Sequence, residues 1–463
     1  MSESVQPSGW KFQFVRIYTY ICPAILYAFV SFQKQCPSVV VNDMAKAYNV
    51  SIDSFGSFSS IYFYPYACMQ PFAGLIADII DPAYVVGVSG LIAACGSIIC
   101  GLSNSMGVGI LGRLLVGLGC GPTYVSTVRI ITKWFKSDYY PAMFGILVAM
   151  SGAGGMLASG VLGIFLEHFK WRYAFYGVGG IGGFLALIVL IFVRGDPRKK
   201  GFAPVNDEGA PVDTIISCSD KLSMLWQNVV TIFKNWMFWP ITLYNITSSC
   251  PYIDIVGLWG GPYLIDIRNF TKKEKGNTLL AISIGMVVGS LTVPYLSNLM
   301  KTKKWICSGS SLIVLVDLLL FFFLGSKFSK IVIWILFLII GYFTAPLCSV
   351  SYPLLCEYYP PTAAGSSVGC SNFFVFMASA AYQEISSRLI PLKGTDTSSG
   401  VTKYTWAGYQ YGLWLFCAVS ILFSAIIIAI TRDTSAFQPK TNESPYEEID
   451  PPTEKPVNQG DKL

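Results

Sequence analysis

Twelve long apolar runs leave this chain few ways to fold. They lie near residues 17–41, 54–76, 83–103, 107–132, 139–164 and 173–193, then near 236–265, 277–299, 305–325, 329–352, 364–390 and 408–431. A backbone inside lipid must satisfy its own N–H and C=O groups, which leaves helices or closed barrels. These runs are apolar throughout rather than alternating with a period of two. Each also approaches or exceeds the roughly 20 residues a membrane helix needs. The expected fold is therefore all-α, with twelve transmembrane helices. The composition agrees: 13% of the 463 residues are charged and 53% are hydrophobic, whereas a soluble domain carries about 25% charged residues. The net charge of +6 is ordinary for basic cytosolic loops and does not point to nucleic acid. Lys11 and Arg16 precede the first run as in a signal peptide. The run continues almost to Val41 without a small-x-small cleavage site, so it reads as a retained helix.

One long polar segment, from Arg194 to Lys234, divides the runs six and six. It opens on Arg194, Arg198, Lys199 and Lys200, then passes through Gly, Pro and acidic residues with no lasting apolar period. That composition reads as a mobile linker with a short amphipathic helix near Met224–Phe233. The expected organisation is a cytosolic N-terminus (1–16), a six-helix bundle (17–193), a cytosolic linker (194–235), a second six-helix bundle (236–431) and a disordered cytosolic tail (432–463). With both ends cytosolic, inner segments hold most of the basic residues, although Arg268, Lys272, Lys273 and Lys275 fall together outside. The acceptor triplets Asn49-Val50-Ser51 and Asn269-Phe270-Thr271 also fall in expected outer loops. The localisation that follows is a multi-pass protein of the plasma membrane or an endomembrane.

The two sets of runs share features at a common offset. Asp138-Tyr139-Tyr140-Pro141 precedes the fifth run, and Glu357-Tyr358-Tyr359-Pro360, 219 residues later, precedes the eleventh. Asp78 and Asn298, which follow the second and eighth runs, are 220 residues apart. A shared shift implies two related halves, and related halves place a site near the bilayer midplane between them. Small residues at four-residue spacing let helices approach closely: Ser151, Gly155, Ser159 and Gly163 in the fifth run, Gly285 and Gly289 in the eighth, Gly365 and Gly369 in the eleventh. They are expected to pack the seam along which the halves move.

Several chemistries lack their residues. The Gly-rich runs 117–121 and 177–183 lie inside apolar spans, without a following Lys-Ser or Lys-Thr, so they are not phosphate loops. The 13 cysteines show no C-x-x-C pair and read as small apolar residues. His168, the one histidine, sits in an expected outer loop as a solvated residue. No catalytic residue, metal site or cofactor is expected, and the chain is not read as an enzyme.

Gly74-Leu75-Ile76-Ala77-Asp78 and the pair Arg113 and Gly117 resemble the loop and fourth-helix motifs of the major facilitator superfamily. The resemblance covers about residues 15–432. Lys133-Trp134-Phe135, the segment 171–175 and the segment 258–264 resemble phrases of its organic-anion and sugar-phosphate-like branches. It implies two pseudo-symmetric six-helix bundles and transport by alternating access. It also implies that Asp78 latches the cytosolic side by facing the start of the eleventh helix, and that Arg113 serves packing and coupling. The loop motif here departs from the pattern, because residues 79–84 contain no basic residue.

A charge at membrane depth is costly and marks a candidate site. Lys34 in the first run and Asp254 in the seventh are 220 residues apart, the repeat shift, so they are expected to face each other across a cavity. Lys34 would hold a substrate carboxylate or phosphate, and Asp254 a proton or a substrate amine; the alternative is a structural ion pair or a snorkelling lysine. Tyr62, Tyr66 and Gln70 form a polar stripe on the second run, and Tyr252, Trp259 and Asn372 add polar-tipped groups on the seventh and eleventh. Coupling or gating residues are Asp78, Arg113, Arg129, Glu357 and Glu384. Arg113 and Arg129 are separated by about 160° around their helix and cannot share a face. Arg129 either reaches the cavity or snorkels to lipid phosphate. The expected function is secondary active transport of a small polar or charged organic solute, an organic anion being favoured, with possible proton coupling and a monomeric chain. Alternatives are an uncoupled facilitator and a non-transporting receptor on the same fold.

Overall fold

The computed structural model describes residues 9–51, 54–136, 139–205, 218–359, 361–396 and 403–432. Asp138, Pro360, residues 206–217 of the expected linker and the tail from 433 lie outside them.

Among the described residues, nine helices are long and apolar enough to cross a membrane: Trp10–Tyr48, Pro82–Leu102, Met106–Trp134, Met143–His168, Trp171–Phe192, Lys272–Met300, Lys304–Leu324, Lys330–Cys356 and Trp406–Ile430. They match the first, third to sixth, eighth to tenth and twelfth expected spans. The second, seventh and eleventh are helical too, as Phe55–Ser60 with Phe63–Ile79, Phe238–Asp254 leading through a wide π turn into Gly260–Asp266, and Pro361–Leu389. These three carry buried polar groups such as Ser59 and Gln70, Asn245 and Asp254, and Ser371 and Gln383.

The packing repeats with a period of six. The first span packs on the fifth and sixth, the second on the fourth, and the third on the fourth and sixth. Adding six to each number gives the second set: seventh on eleventh and twelfth, eighth on tenth, ninth on tenth and twelfth. The most extensive contacts between the sets are first with seventh, second with eleventh, and fifth with eighth. Exchanging the sets turns the second–eleventh contact into the eighth–fifth contact, which is the signature of a pseudo-twofold axis.

Both described termini lie beside the linker, Phe12 packing on Phe202, and the Arg432 carbonyl accepting from Tyr358, whose own carbonyl accepts from Asn235; the opposite side is called distal. On the distal side one apolar core runs through both sets, joining Val39, Val41, Met44 and Phe58 to Leu258, Trp259, Tyr263 and Leu279. On the terminal side each set has its own: Phe12, Tyr20, Trp134 and Val189 in the first, Phe238, Val293, Ile306 and Leu354 in the second.

The seam uses only part of the small residues expected there. Gly163 and Gly276 meet so closely that a Cβ on Gly163 would lie 2.9 Å from the Gly276 Cα. Gly369 faces the Gln70 backbone across the seam, whereas Ser151 bonds Ser31 at 2.5 Å and Gly155 faces Gln35, both on the first span of the same set, and Gly365 has no atom within 4 Å of a would-be Cβ. Gly285 and Gly289 instead pack against Leu338 and Tyr342 of the tenth span, inside the second set and away from the seam.

The start of the linker is ordered, contrary to the reading of a mobile segment. Asp81 caps the third span through the Ala83 N–H at 2.9 Å, accepts from the Gly195 N–H at 2.8 Å and pairs with Lys199 at 2.9 Å. Trp134 donates to the Arg194 carbonyl at 2.9 Å, and Phe202 packs edge-on against Phe12. The linker helix spans Cys218–Lys234, longer than expected, and Ile232 is buried against the second set. Asn49 and Asn269 are exposed at turns with left-handed backbone, φ 55° and 52°.

Candidate functional site

The centre of the molecule is built on the first and second spans. Lys34 is half-buried, with its Nζ 4.5 Å from the Tyr66 ring centroid and 4.8 Å from that of Phe376 on the eleventh span. It donates to the Tyr66 hydroxyl at 3.3 Å. Aromatic faces attract a cation but do not neutralise it, and among the described residues no carboxylate pairs with Lys34. Tyr66 stacks on Tyr62 at 5.6 Å, and Tyr62 in turn lies 4.7 Å from the guanidinium carbon of Arg113. Arg113 is fully buried; Nη1 donates to the Gln33 carbonyl at 2.7 Å, while Nε and Nη2 have no hydrogen-bond partner among the described residues. Two cations thus flank a tyrosine pair. Next to Lys34, Gln35 accepts from Ser283 of the eighth span at 3.2 Å and so touches the other set.

Asp254 has different surroundings from those expected. It is fully buried at the π turn of the seventh span, where Oδ1 accepts from Ser386 at 3.0 Å and Oδ2 has no partner among the described residues. Trp259 donates to the same Ser386 hydroxyl at 3.1 Å, giving a chain from indole to hydroxyl to carboxylate. The partners of Asp254 are on the eleventh span, those of Lys34 on the second and eleventh, and the two charges do not pair.

The other candidates divide between cavity, core and seam. Trp259 is fully buried and packs edge-on against Tyr404, so it belongs to the core. Gln70 is buried and donates to the Gly121 carbonyl at 3.3 Å, where the fourth span breaks. Asn372 is half-buried and accepts from Tyr352 at 2.5 Å; Tyr252 is half-buried. Glu384 lies on the distal seam, accepting from Ser57 at 3.1 Å and Ser60 at 3.5 Å across the two sets. Glu357 pairs with Lys303 within the second set. Arg129 is exposed. Asp78 falls in the helix Phe63–Ile79, but its side chain is outside the described residues.

Sequence reasoning missed the distal clasp. Lys275, expected in an outer loop, is buried with its Nζ donating to the Val39 carbonyl of the first span at 2.7 Å. Lys272 pairs with Asp43 at 2.9 Å and donates to the Leu166 carbonyl at 3.3 Å. The basic cluster itself was visible; that it meets the far set could only come from the packing.

This fold and this central arrangement place the chain among polytopic helical membrane proteins with a pseudo-twofold core. The description "Major Facilitator Superfamily" matches residues 24–382, and the chain belongs to that family. It is 23% identical to the phosphoglycerate transporter protein of Salmonella typhimurium, over 72% of this chain and 74% of that one. It is 25% identical to the MFS-type transporter VdtG of Byssochlamys spectabilis, over 45% of this chain and 37% of that one. The chain spans about a quarter to under half the length of the curated relatives it first matches. Its fold is similar to a crystal structure of a bacterial homologue of the human lysosomal transporter Spinster in an inward-facing, unoccupied conformation. The TM-score is 0.70 at 15% identity, covering 90% of this chain and 96% of that one.

Proposed function

We propose that the protein is a secondary transporter that moves a small organic anion by alternating access, with Lys34 as the group that receives the anion. The observation that carries this reading is a half-buried ammonium at mid-span, framed by two aromatic rings and a hydroxyl, with no carboxylate against it among the described residues. An uncompensated charge at membrane depth costs several kcal/mol unless a counter-charge arrives, and a substrate carboxylate or phosphate supplies one. The similarity to a phosphoglycerate transporter supports the same class of solute. The shared distal core and separate terminal-side cores fit a molecule closed distally, whose two halves, 17–193 and 236–431, tilt about the centre.

Proton coupling is assigned to Asp254. Its free Oδ2 and its link through Ser386 to Trp259 make it the acid of the second half whose charge state the packing would register. The test is uptake by purified protein in vesicles, with and without a pH gradient, over a panel of carboxylates and phosphate esters. Lys34→Ala is expected to lower uptake at least tenfold while Lys34→Arg keeps part of it. Asp254→Asn is expected to abolish accumulation driven by the gradient. Undiminished uptake in Lys34→Ala rejects the anion site, and undiminished accumulation in Asp254→Asn leaves an uncoupled facilitator.

A further inference from the structure

We propose a second anion site, on the distal surface where the seam between the two sets opens. A cleft of about 510 Å³ is lined there by the end of the first span, the turn from the fifth span to the sixth, and the first residue of the eighth. Its charged side chains are Lys46, Lys170, Arg172 and Lys272 against Asp43 and Glu167. Both acids are engaged: Asp43 pairs with Lys272 at 2.9 Å, and Glu167 accepts from the Lys273 N–H at 3.2 Å. Arg172 is held by neutral acceptors, the carbonyls of Gly101 at 2.9 Å and Ser103 at 2.5 Å and the Asn104 side chain at 3.1 Å, which leave its charge uncancelled. Lys46 and Lys170 are exposed and meet no carboxylate among the described residues. Four cations and two anions leave two net positive charges around one concave surface, the chemistry that recognises a phosphate or carboxylate group.

The site also has a conformational consequence. Lys272 belongs to the second set and the remaining lining to the first. The complete cleft exists only while the distal ends are together, so its occupant favours the distal-closed form. By linkage, an anion at ten times its dissociation constant raises the closed-to-open ratio about elevenfold. The anion comes either from solution or from a lipid headgroup.

Inorganic phosphate is the probe, titrated by calorimetry into the full-length protein in nanodiscs of neutral lipid, with hydrogen exchange followed over 43–48, 166–172 and 272–276. Binding is expected, together with slowed exchange in all three segments. The double variant Lys46→Gln/Lys170→Gln is expected to bind at least tenfold more weakly at an unchanged thermal midpoint and to lose the protection in these segments, whereas Lys34→Gln, which removes the central anion site, keeps that protection. In nanodiscs containing phosphatidylglycerol, weakened phosphate binding with protection already present identifies a headgroup as the source. Undiminished phosphate binding there identifies a free anion. The proposal is overturned if the double variant binds as well as wild type. It is also overturned if Lys34→Gln alone abolishes binding, which would assign the phosphate to the central site, or if no protection appears in either lipid.

Discussion

Lys34 and Arg113 are both cations inside an apolar bundle, and the chain treats them differently. Arg113 is walled in by Tyr62, Phe58 and the Gln33 carbonyl, whereas Lys34 is half-buried and its ammonium meets Tyr66 and Phe376. Tyr66 gives Lys34 two separable contacts, a ring face and a hydroxyl. Tyr66→Phe removes the hydroxyl alone, worth about 1 kcal/mol, and is expected to change apparent substrate affinity about fivefold. Tyr66→Ala removes the cation–π contact as well and is expected to cost more; uptake kinetics at varied substrate concentration distinguish the two. Equal effects would mean that the ring does not hold the ammonium. Lys34 and Asp254 were legible in the sequence because a charge in an apolar run has few explanations. Their partners were not. The repeat shift gives equivalent positions on two helices, but it is silent about which neighbour's hydroxyl or ring fills the space beside each. Thus Phe376 and Ser386 emerged only from the packing, and Trp259 and Gln70 proved to be core residues.

At the scale of elements, the spans were readable because lipid enforces internal hydrogen bonding and the required length is narrow. Even the spans with more polar groups kept their helical pattern. The linker misled for a physical reason: a Gly- and Pro-rich composition argues against a self-contained fold, but it does not exclude docking on a neighbour. Asp81 does the docking, being nearly inaccessible itself while holding Lys199, the Gly195 amide and the first turn of the third span. Asp81→Ala should therefore cost about 1 kcal/mol through the lost cap, with little more from the half-exposed lysine. The same change should release the segment 196–205. Limited trypsin digestion reads this directly, since Arg198, Lys199 and Lys200 are cleavage points. Faster cleavage there is the expected result, and unchanged cleavage would mean that Phe202 and Trp134 hold the segment without Asp81.

The whole molecule is asymmetric across the membrane although its two sets of helices are related. Apolar surface is continuous between the sets distally and divided on the terminal side. Alternating access requires this arrangement to invert, and the seam glycines set the cost of the distal-closed form. A Cβ on Gly276 would sit 2.6 Å from the Ser159 carbonyl oxygen and 2.9 Å from the Gly163 Cα, backbone atoms that cannot turn aside. Overpacking of this kind costs about 1–3 kcal/mol. If the halves can part, Gly276→Leu does not unfold the protein but drives the distal ends open, changing the closed-to-open ratio about 5- to 150-fold. Gly145, on the terminal part of the fifth span, has no atom within 4 Å of its would-be Cβ, so Gly145→Leu serves as the control. Hydrogen exchange over 39–48 and 260–270 is expected to quicken in Gly276→Leu and to stay unchanged in Gly145→Leu, with the bulk of the helical signal retained in both. Loss of the helical signal in Gly276→Leu alone would mean that the distal core is a fixed foundation of the fold, and that the halves do not separate there during a transport cycle.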